Sequence, residues 1–374
     1  MPITLNGDTG IQTPMYNGTI TANAVTPSVN MKNRIINGAM VIDQRNAGAS
    51  VTPANGDYTL DRFQAILSAS SKYSVQQNAG SVTPPVGFTN YLGVTSLSAY
   101  TVGASERFQI RQYIEGFNTA DLGWGTANAQ TVTLSFWVRS SLTGTFGGAL
   151  QNSSQARSYP FSYTISSANT WEQKSVTIAG DTSGTWIGAT NGIGLLLAFS
   201  LGAGASVSGT AGAWTGSGLS SATGATSVVG TNGATFYITG VQLEVGSTAT
   251  SFDYRPYGTE LALCQRYCNV YGGAIYALFG TMAWAFSTTG FSSITEFPVE
   301  MRAVPTVAYT GNTRAVSGSS SDAVTSVTFN TANSTTKIAL VEGTIGSSSL
   351  TVNRGYAWSA NNDATARAIF SAEL

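Results

Sequence analysis

Short runs in which apolar and polar residues alternate recur along most of the chain. In residues 107–114, Phe108 and Ile110 share one side with Gln112, and residues 131–138 repeat the alternation. A period of two places successive side chains on opposite faces of a strand, so these runs predict half-buried β-strands. Gly, Ser, Thr and Asn fill the turns between them. The pattern therefore predicts an all-β protein built on an antiparallel sandwich.

Four segments complete or interrupt this pattern. Residues 34–42 predict a first strand, and the continuous apolar run at 192–201 predicts a central strand buried on both faces. The run at 236–243 predicts the last strand of the sandwich, with a bulge at Gly240, because a glycine inside a strand often marks one. Residues 202–233 are rich in Gly, Ser, Ala and Thr, and they predict a long loop or a weak hairpin.

One helix is predicted, at 259–270, where Thr259 can cap the first turn and Glu260 is favourably placed near the helix N-terminus. Strand-like runs after this helix predict a second, smaller β domain. The first 30 residues are polar and turn-rich, so we expect an arm that a partner must order. The predicted organisation is an attachment arm at 1–30, a β-sandwich at 31–257, a linker helix at 258–271 and a C-terminal β domain at 272–374.

Composition changes the expected surface. Hydrophobic residues make up 42% of the chain, which is ample for a core and argues against disorder. Charged residues make up only 9%, whereas ordinary soluble domains carry about 25%. The polar surface must therefore consist of Ser, Thr, Asn, Gln and Gly, which is typical of extracellular β proteins. The 17 Lys and Arg residues are scattered, so no basic stripe indicates nucleic-acid binding.

The chain has no histidine, which removes much of the usual catalytic and metal chemistry. A Ser–His–Asp or Cys–His site cannot form within one chain, and neither can a histidine-ligated zinc or iron site. Two cysteines cannot supply four thiolates. We therefore expect no enzyme activity, no catalytic residue, no metal site and no cofactor. Calcium held by loop oxygens stays an alternative, although no dense Asp/Asn motif supports it.

The two cysteines, Cys264 and Cys268, lie four residues apart on one side of the predicted helix. A disulfide between them would be strained, so we favour two small buried hydrophobic residues. Residues 1–7 lack the basic start and apolar core of a signal peptide. The longest apolar run, at 193–201, is far too short to span a membrane. We expect neither an export signal nor a membrane segment.

Carboxylates are the natural acid–base groups in a chain without histidine. A glycosidase needs two of them on either side of a sugar, about 5–10 Å apart, and Asp57 with Asp61 is the pair that the sequence offers. We favour instead a polar network that braces the sandwich. Glu244 could pair with Arg45 or Arg62 of this network. The expected network contains Asp43, Arg45, Asp61 and Arg62.

Aromatic rings in loops are candidate sugar platforms, because the apolar face of a pyranose stacks on a ring. Trp124 stands between two glycines and is expected to be exposed, and Trp214 lies in the Gly/Ser-rich segment. The strand-borne Trp137, Trp171 and Trp284 are expected in the core or at a subunit interface. The candidate glycan-binding residues are Trp124, Tyr159, Trp186 and Trp214.

Six sequence strings resemble a domain that is common in phage tail fibre proteins and prophage products. The opening strings are NRIINGAM (33–40), DQR (43–45) and YTLDRF (58–63), and the closing strings are VQLEVG (241–246), TSF (250–252) and RPYGTELALCQRY (255–267). Together they cover roughly residues 33–267. Position 268 departs from the pattern, because an aromatic residue usually follows Tyr267 whereas this chain has Cys268.

The resemblance implies a jelly-roll sandwich of the carbohydrate-binding-module type within a bacteriophage fibre, located in the virion. We expect a homotrimer, because the chain combines low charge with abundant apolar surface in short strands. The arm at 1–30 would attach to a baseplate or head protein, and the fibre would bind a host surface glycan without contacting nucleic acid or membrane. One alternative is a capsid fibre or decoration protein with a purely structural role. Another is a glycan depolymerase, which the lack of a repetitive β-helix period disfavours.

Overall fold

A computed structural model describes residues 31–318 and 320–374, so the predicted arm at 1–30 lies outside the described residues. The larger unit is an antiparallel jelly-roll sandwich of two five-stranded sheets, which confirms the predicted fold class. The first sheet contains, in spatial order, β1 (Gln64–Leu67), β4 (Arg107–Glu115), β9 (Ile193–Ala203), β6 (Gly144–Gln151) and β7 (Ser158–Ile165). The second sheet contains β2 (Tyr73–Gln77), β3 (Leu92–Ser96), β12 (Thr235–Val245), β5 (Val132–Ser140) and β8 (Glu172–Ile178).

Strand β9 is buried on both faces, as its continuous apolar sequence predicts. Leu197 and Phe199 point into the main core between the sheets, where the Phe199 ring meets Phe136 at a centroid distance of 5.0 Å. The alternate residues Leu196 and Ala198 belong to a second apolar cluster on the outer face of the sheet. This outer face is covered by other parts of the chain, so β9 does not show the polar alternation of a strand with one solvated face.

The predicted first strand at 34–42 is wrong, because these residues form turns. Asn37 and Met40 adopt left-handed backbone conformations with φ of 61° and 58°. The Asn37 side chain accepts a hydrogen bond from the Ile42 amide at 2.9 Å and donates one to the Ile42 carbonyl at 2.8 Å. The Asn37 side chain thus satisfies the backbone N–H and C=O of Ile42, which a neighbouring strand would otherwise bind. Asparagine side chains often form such local hydrogen bonds in turns.

Gly240 lies at the predicted bulge in β12. The pairing of β12 with β5 shifts register between Thr239 and Gln242, which confirms the bulge. Gly240 has a φ of +61°, and a Cβ atom there would lie 2.6 Å from the Phe88 ring. Both the backbone conformation and the close ring therefore require glycine at this position.

Residues 202–233 form a long connection that packs on the core, and the alternative of a weak hairpin is wrong. They contain two short strands, β10 (Ser208–Gly209) and β11 (Ser221–Ala222), which pair in parallel. Val228 and Val229 are fully buried in the main core. These two buried valines hold the segment against the main core. Its Gly/Ser-rich composition, taken alone, would indicate a mobile loop.

The helix, α1 (Tyr257–Gln265), ends earlier than the predicted span of 258–271. The chain continues into β13 (Cys268–Gly272), whose backbone pairs with β21 (Arg367–Ser371). Asn269 donates from Nδ2 to the Gln265 carbonyl at 2.7 Å, which satisfies one of the free carbonyls at the helix end. The helical sequence pattern could not predict that residues 268–272 pair with a strand about 100 positions further along the chain. No helix in the described residues is long and apolar enough to cross a membrane.

The C-terminal β unit has two parts that share one apolar core. One part is a three-stranded sheet of β13, β21 and β16 (Thr306–Thr310). The other is a closed barrel of six strands, which are, in spatial order, β14 (Met282–Ala285), β15 (Gly290–Glu296), β19 (Ile338–Ile345), β18 (Ser320–Phe329), β17 (Thr313–Ser317) and β20 (Gly355–Ala360). The sequence predicted the β character of this unit but not its closure. The domain boundaries at 257 and 271 stay predictions.

A buried polar cluster joins the sandwich to the C-terminal unit, and we call it the junction. The Glu373 carboxylate accepts hydrogen bonds from Arg45 at 3.1 Å and from Arg62, which is fully buried. The Arg62 guanidinium also lies 3.5 Å from the centre of the Tyr267 ring. The Tyr267 hydroxyl donates to Glu115 at 2.6 Å. The junction therefore combines a paired buried charge, a cation–π contact and a charge-assisted hydrogen bond.

Asp61 belongs to the same polar region, as the sequence predicts, but its contacts differ from a simple ion pair. Its two carboxylate oxygens accept from the Gln44 amide at 2.7 Å and from Gln44 Nε2 at 2.6 Å. Burial outweighs these hydrogen bonds and the nearby Arg45 charge, and it raises the pKa of Asp61 to about 6. Asp43 instead accepts from the Asn46 and Gly48 amides within its own turn.

Candidate functional site

Four aromatic side chains meet at one end of the sandwich, and we call this group the tryptophan cluster. It contains all four residues that the sequence singles out: Trp124, Tyr159, Trp186 and Trp214. Trp124 contacts Trp186 at a ring-centroid distance of 4.9 Å and Trp214 at 5.3 Å. Trp214 also contacts Trp186 at 5.5 Å and Tyr159 at 5.3 Å. All four contacts are edge-to-face, which is a favourable geometry for aromatic pairs.

The strand arrangement explains why residues so far apart in sequence converge. Trp124 follows the end of β4, and Trp186 lies between β8 and β9. Tyr159 is the second residue of β7, and an isolated bridge from Ser158 to Thr215 places Trp214 beside it. Because β4 and β9 are antiparallel, the last residue of β4 lies beside the first residue of β9, at the same end of the sandwich.

Burial divides the cluster into a supporting pair and an accessible pair. Trp124 and Tyr159 are each only 7% exposed, so the expectation that Trp124 is exposed is wrong. Its flanking glycines allow left-handed turns that fold the loop over the ring, with φ of 62° at Gly123 and 83° at Gly125. Trp186 and Trp214 are half-buried. These two rings therefore form the surface that a ligand could reach.

Hydrogen bonds hold the indole rings in place. Trp124 Nε1 donates to the Gln130 carbonyl at 2.7 Å, and Trp214 Nε1 donates to the Ala179 carbonyl at 2.7 Å. Trp186 Nε1 donates to the Ser183 carbonyl at 3.2 Å and has a longer contact of 3.3 Å with Asp181. Every indole N–H in the cluster is thus used internally, so the rings offer apolar surface and no spare donor.

Asp181 organises the loop that carries Trp186. It is buried, and it accepts two hydrogen bonds from Arg157, at 2.8 Å from Nε and 2.5 Å from Nη2. These hydrogen bonds to Asp181 raise the pKa of Arg157. The Asp181 carbonyl also accepts from the Gly125 amide at 2.7 Å. One residue therefore ties the Trp124 loop, the Trp186 loop and the edge of β7 together.

A cavity of about 160 Å³ lies beside Trp124 and Trp186, with apolar walls from Ile187 and Leu195. Sites that enclose a drug-sized ligand usually measure about 300–1,000 Å³. This cavity is smaller, so it can take part of a ligand while the rest lies along the surface.

The two carboxylates of the alternative glycosidase pair have different hydrogen-bond partners. Asp57 accepts from the Ala54 amide within a turn at 2.7 Å, whereas Asp61 accepts from the Gln44 amide at 2.7 Å. Glu244 was expected to pair with Arg45 or Arg62, and this is wrong. It accepts from the Thr250 amide at 2.8 Å and lies 3.8 Å from Lys32. In the described part of the chain, no group of three or more acidic or cysteine residues could hold a metal ion.

Both cysteines are fully buried and their thiols are free, in keeping with the expected role as small core residues. Burial raises the pKa of both the Cys264 and Cys268 thiols. Neither thiol is therefore poised to act as a nucleophile.

A second aromatic group was missed by the sequence analysis. Phe88, Phe252 and Tyr254 pack with centroid distances of 4.8–5.4 Å beside a cavity of about 200 Å³. Tyr254 is 51% exposed. Residues 252 and 254 follow the last sandwich strand with alternate spacing, which is the signal that could have identified them.

No protein-family model matches the chain, and no curated protein matches it either. Solved structures with partial likeness include a tailspike protein 4 enzymatically active domain of bacteriophage CBA120, with 12% identity, a TM-score of 0.32, and coverage of 57% of this chain and 22% of that one. A family 11 carbohydrate-binding module from Clostridium thermocellum has 10% identity, a TM-score of 0.27, and coverage of 54% and 98%. A sugar-binding protein from Bacteroides thetaiotaomicron has 11% identity, a TM-score of 0.33, and coverage of 57% and 100%. These scores are too low to support an argument about this chain.

Proposed function

We propose that this chain is a non-enzymatic fibre protein of a bacteriophage virion that attaches to a glycan on the host surface through its jelly-roll sandwich. The observation that carries the proposal is the tryptophan cluster. Two half-buried indole rings, Trp186 and Trp214, lie in contact at one end of the sandwich, and Trp186 also lines a cavity of about 160 Å³. Function on a fold of this kind resides in such a site and not in the fold itself.

The chemistry of the cluster suits a sugar. The C–H face of a pyranose is apolar and packs against an aromatic ring, while its hydroxyl groups stay in water or find polar partners. Because Trp124, Tyr159 and Asp181 hold the rings in place, little side-chain freedom is lost when a ligand binds. Thr126, Gly123 and Gly188 also line the cavity, and the Thr126 hydroxyl donates to the Gly123 carbonyl at 2.6 Å.

The virion part of the proposal is supported by composition and by the sequence strings described above. A chain with 9% charged residues and no histidine is typical of an extracellular scaffold and offers no histidine as a general base. The strings at 33–63 and 241–267 resemble phage fibre domains. We further propose a homotrimer, in which threefold repetition turns weak sugar contacts into firm attachment.

The proposal is tested by measuring how purified full-length protein binds to cells and to extracted surface polysaccharide of candidate host bacteria. Trp186→Ala and Trp214→Ala should each lower polysaccharide affinity about two- to tenfold, the range expected for loss of one aromatic contact. Trp171→Ala is the matched control, because this half-buried tryptophan contacts Tyr91 and lies outside the cluster.

Three outcomes would contradict parts of the proposal. If all three variants bound the polysaccharide as tightly as the wild type does, the tryptophan cluster would not take part in glycan recognition. A monomer in light scattering at micromolar concentration would contradict the trimer. A loss of polysaccharide viscosity during incubation with the protein would contradict the absence of enzyme activity and favour a depolymerase.

A further inference from the structure

A third cavity, of about 400 Å³, lies in the C-terminal unit between the end of α1 and the start of the barrel. Its walls come from Gln265 at the helix end, Asn269 and Tyr271 in β13, and Glu296 and Phe297 at the end of β15. Its volume lies within the range of about 300–1,000 Å³ that is typical of ligand sites. None of these residues belongs to the tryptophan cluster.

Two aromatic rings form the apolar part of this cavity. Tyr271 and Phe297 are half-buried, and each packs edge-to-face on Phe370, at centroid distances of 5.8 Å and 5.3 Å. The Tyr271 hydroxyl donates to the Glu296 carbonyl at 2.6 Å, which fixes the ring across the cavity. Burial raises the pKa of Tyr271 to about 12, so the hydroxyl stays protonated and keeps this hydrogen bond at neutral pH. The rings are therefore held in place before any ligand arrives.

Three polar side chains at the cavity have unused hydrogen-bonding capacity. Gln265 and Glu296 enter hydrogen bonds through their backbone carbonyls, and within the described residues their side chains have no partner. Asn269 is only 2% exposed, and its Oδ1 atom is buried without a hydrogen-bond donor among the described residues. A buried acceptor without a donor is destabilising, and most such groups in proteins have a partner.

We propose that this cavity is a second carbohydrate site, which binds a pyranose against Tyr271 and Phe297. The Gln265 amide and the Glu296 carboxylate offer both acceptors and donors, which match the hydroxyl groups of a sugar. An anionic ligand is disfavoured, because Glu296 would repel it and none of the residues that line the cavity carries a positive charge. The choice of a glycan rests on the proposed function, whereas the position of the site does not.

The test uses full-length protein and saturation-transfer difference NMR with methyl glucoside, methyl galactoside, methyl mannoside and methyl N-acetylglucosaminide as probes. A background variant, Trp186→Ala/Trp214→Ala, removes the accessible rings of the tryptophan cluster. We expect at least one probe to retain its signal in this background. Adding Gln265→Ala or Glu296→Ala should then weaken probe binding about tenfold, which corresponds to loss of one or two hydrogen bonds.

Glu300→Ala is the matched control, because Glu300 is an exposed carboxylate of the same unit that contacts Thr336 and Lys337 and does not line the cavity. Its probe signals should equal those of the background variant. Thermal unfolding of each variant verifies that the fold is intact, since Gln265 and Glu296 are accessible positions.

The outcomes separate this proposal from the preceding one. Loss of all signal in the Trp186→Ala/Trp214→Ala background would overturn the second site while supporting the first. Signal that persists there but does not respond to Gln265→Ala or Glu296→Ala would also overturn it. Signal that is equal in the wild type and the background, but weakened by both cavity variants, would support the second site and contradict the first.

Discussion

Replacing Glu373 with alanine removes the carboxylate that neutralises the most deeply buried cation of the junction. Arg62 is 1% exposed, and Glu373 is its only carboxylate partner within 4 Å among the described residues. After the replacement, the guanidinium keeps a hydrogen bond to the Tyr113 carbonyl at 2.5 Å and the Tyr267 ring face. Removing one member of a buried ion pair typically costs about 3–5 kcal/mol, because the other charge is left without compensation.

The cost can be measured by equilibrium unfolding in urea. With a slope of about 3 kcal/mol per molar urea, a loss of 3–5 kcal/mol moves the midpoint of the transition down by roughly 1–2 M. Glu373→Gln should lose nearly as much, because it keeps the size of the side chain and removes its charge. Glu300→Ala, at an exposed ion pair of 3.9 Å, should change stability by less than about 1 kcal/mol. A midpoint for Glu373→Ala that matched that of Glu300→Ala would refute the reasoning.

Three further predictions concern single positions. Burial raises the pKa of Asp61 to about 6, above its unfolded value near 3.9. The folded state therefore binds more protons between about pH 4 and pH 6, and stability falls as pH rises through this window. Asp61→Asn should flatten that slope in urea unfolding, and an unchanged slope would contradict the prediction. Gly240→Ala should cost about 1–3 kcal/mol, because strain at positive φ and a phenyl ring 2.6 Å from the new Cβ act together. Gly258→Ala in α1 is its control, because a Cβ there meets nothing within 4 Å. Cys264 and Cys268 should resist a thiol-specific reagent in the native state and react fully in denaturant, and rapid native labelling would show that they are not buried.

Periodicity was sufficient to predict the sandwich, because strands with apolar faces leave a local signal. The central strand β9 and the bulge at Gly240 were both predicted from a few neighbouring residues. The turn at 34–42 was predicted wrongly, because its apolar residues look like a strand while the Asn37 side chain closes the turn. Closure of the C-terminal barrel depends on β14 meeting β20, and no local pattern contains that information.

The sequence predicted which residues form the candidate site, but not how they pack against one another. Loop position identified Trp124, Trp186 and Trp214, whereas the expected loop position of Tyr159 is wrong, because Tyr159 lies in β7. Which rings stay accessible depends on packing between loops, so Trp124 was expected to be exposed and is buried. The cavity of about 400 Å³ in the C-terminal unit was missed because Gln265, Tyr271 and Glu296 come from a helix end and two strands that only the folded chain brings together.

The junction also has a mechanical consequence. Residues near the start, the middle and the end of the described chain meet there, at Arg45 and Arg62, at Tyr267, and at Glu373. A pull that separates the C-terminal unit from the sandwich therefore loads several contacts in parallel, and not only the covalent link through α1. Separation of the two units would therefore require these contacts to break together.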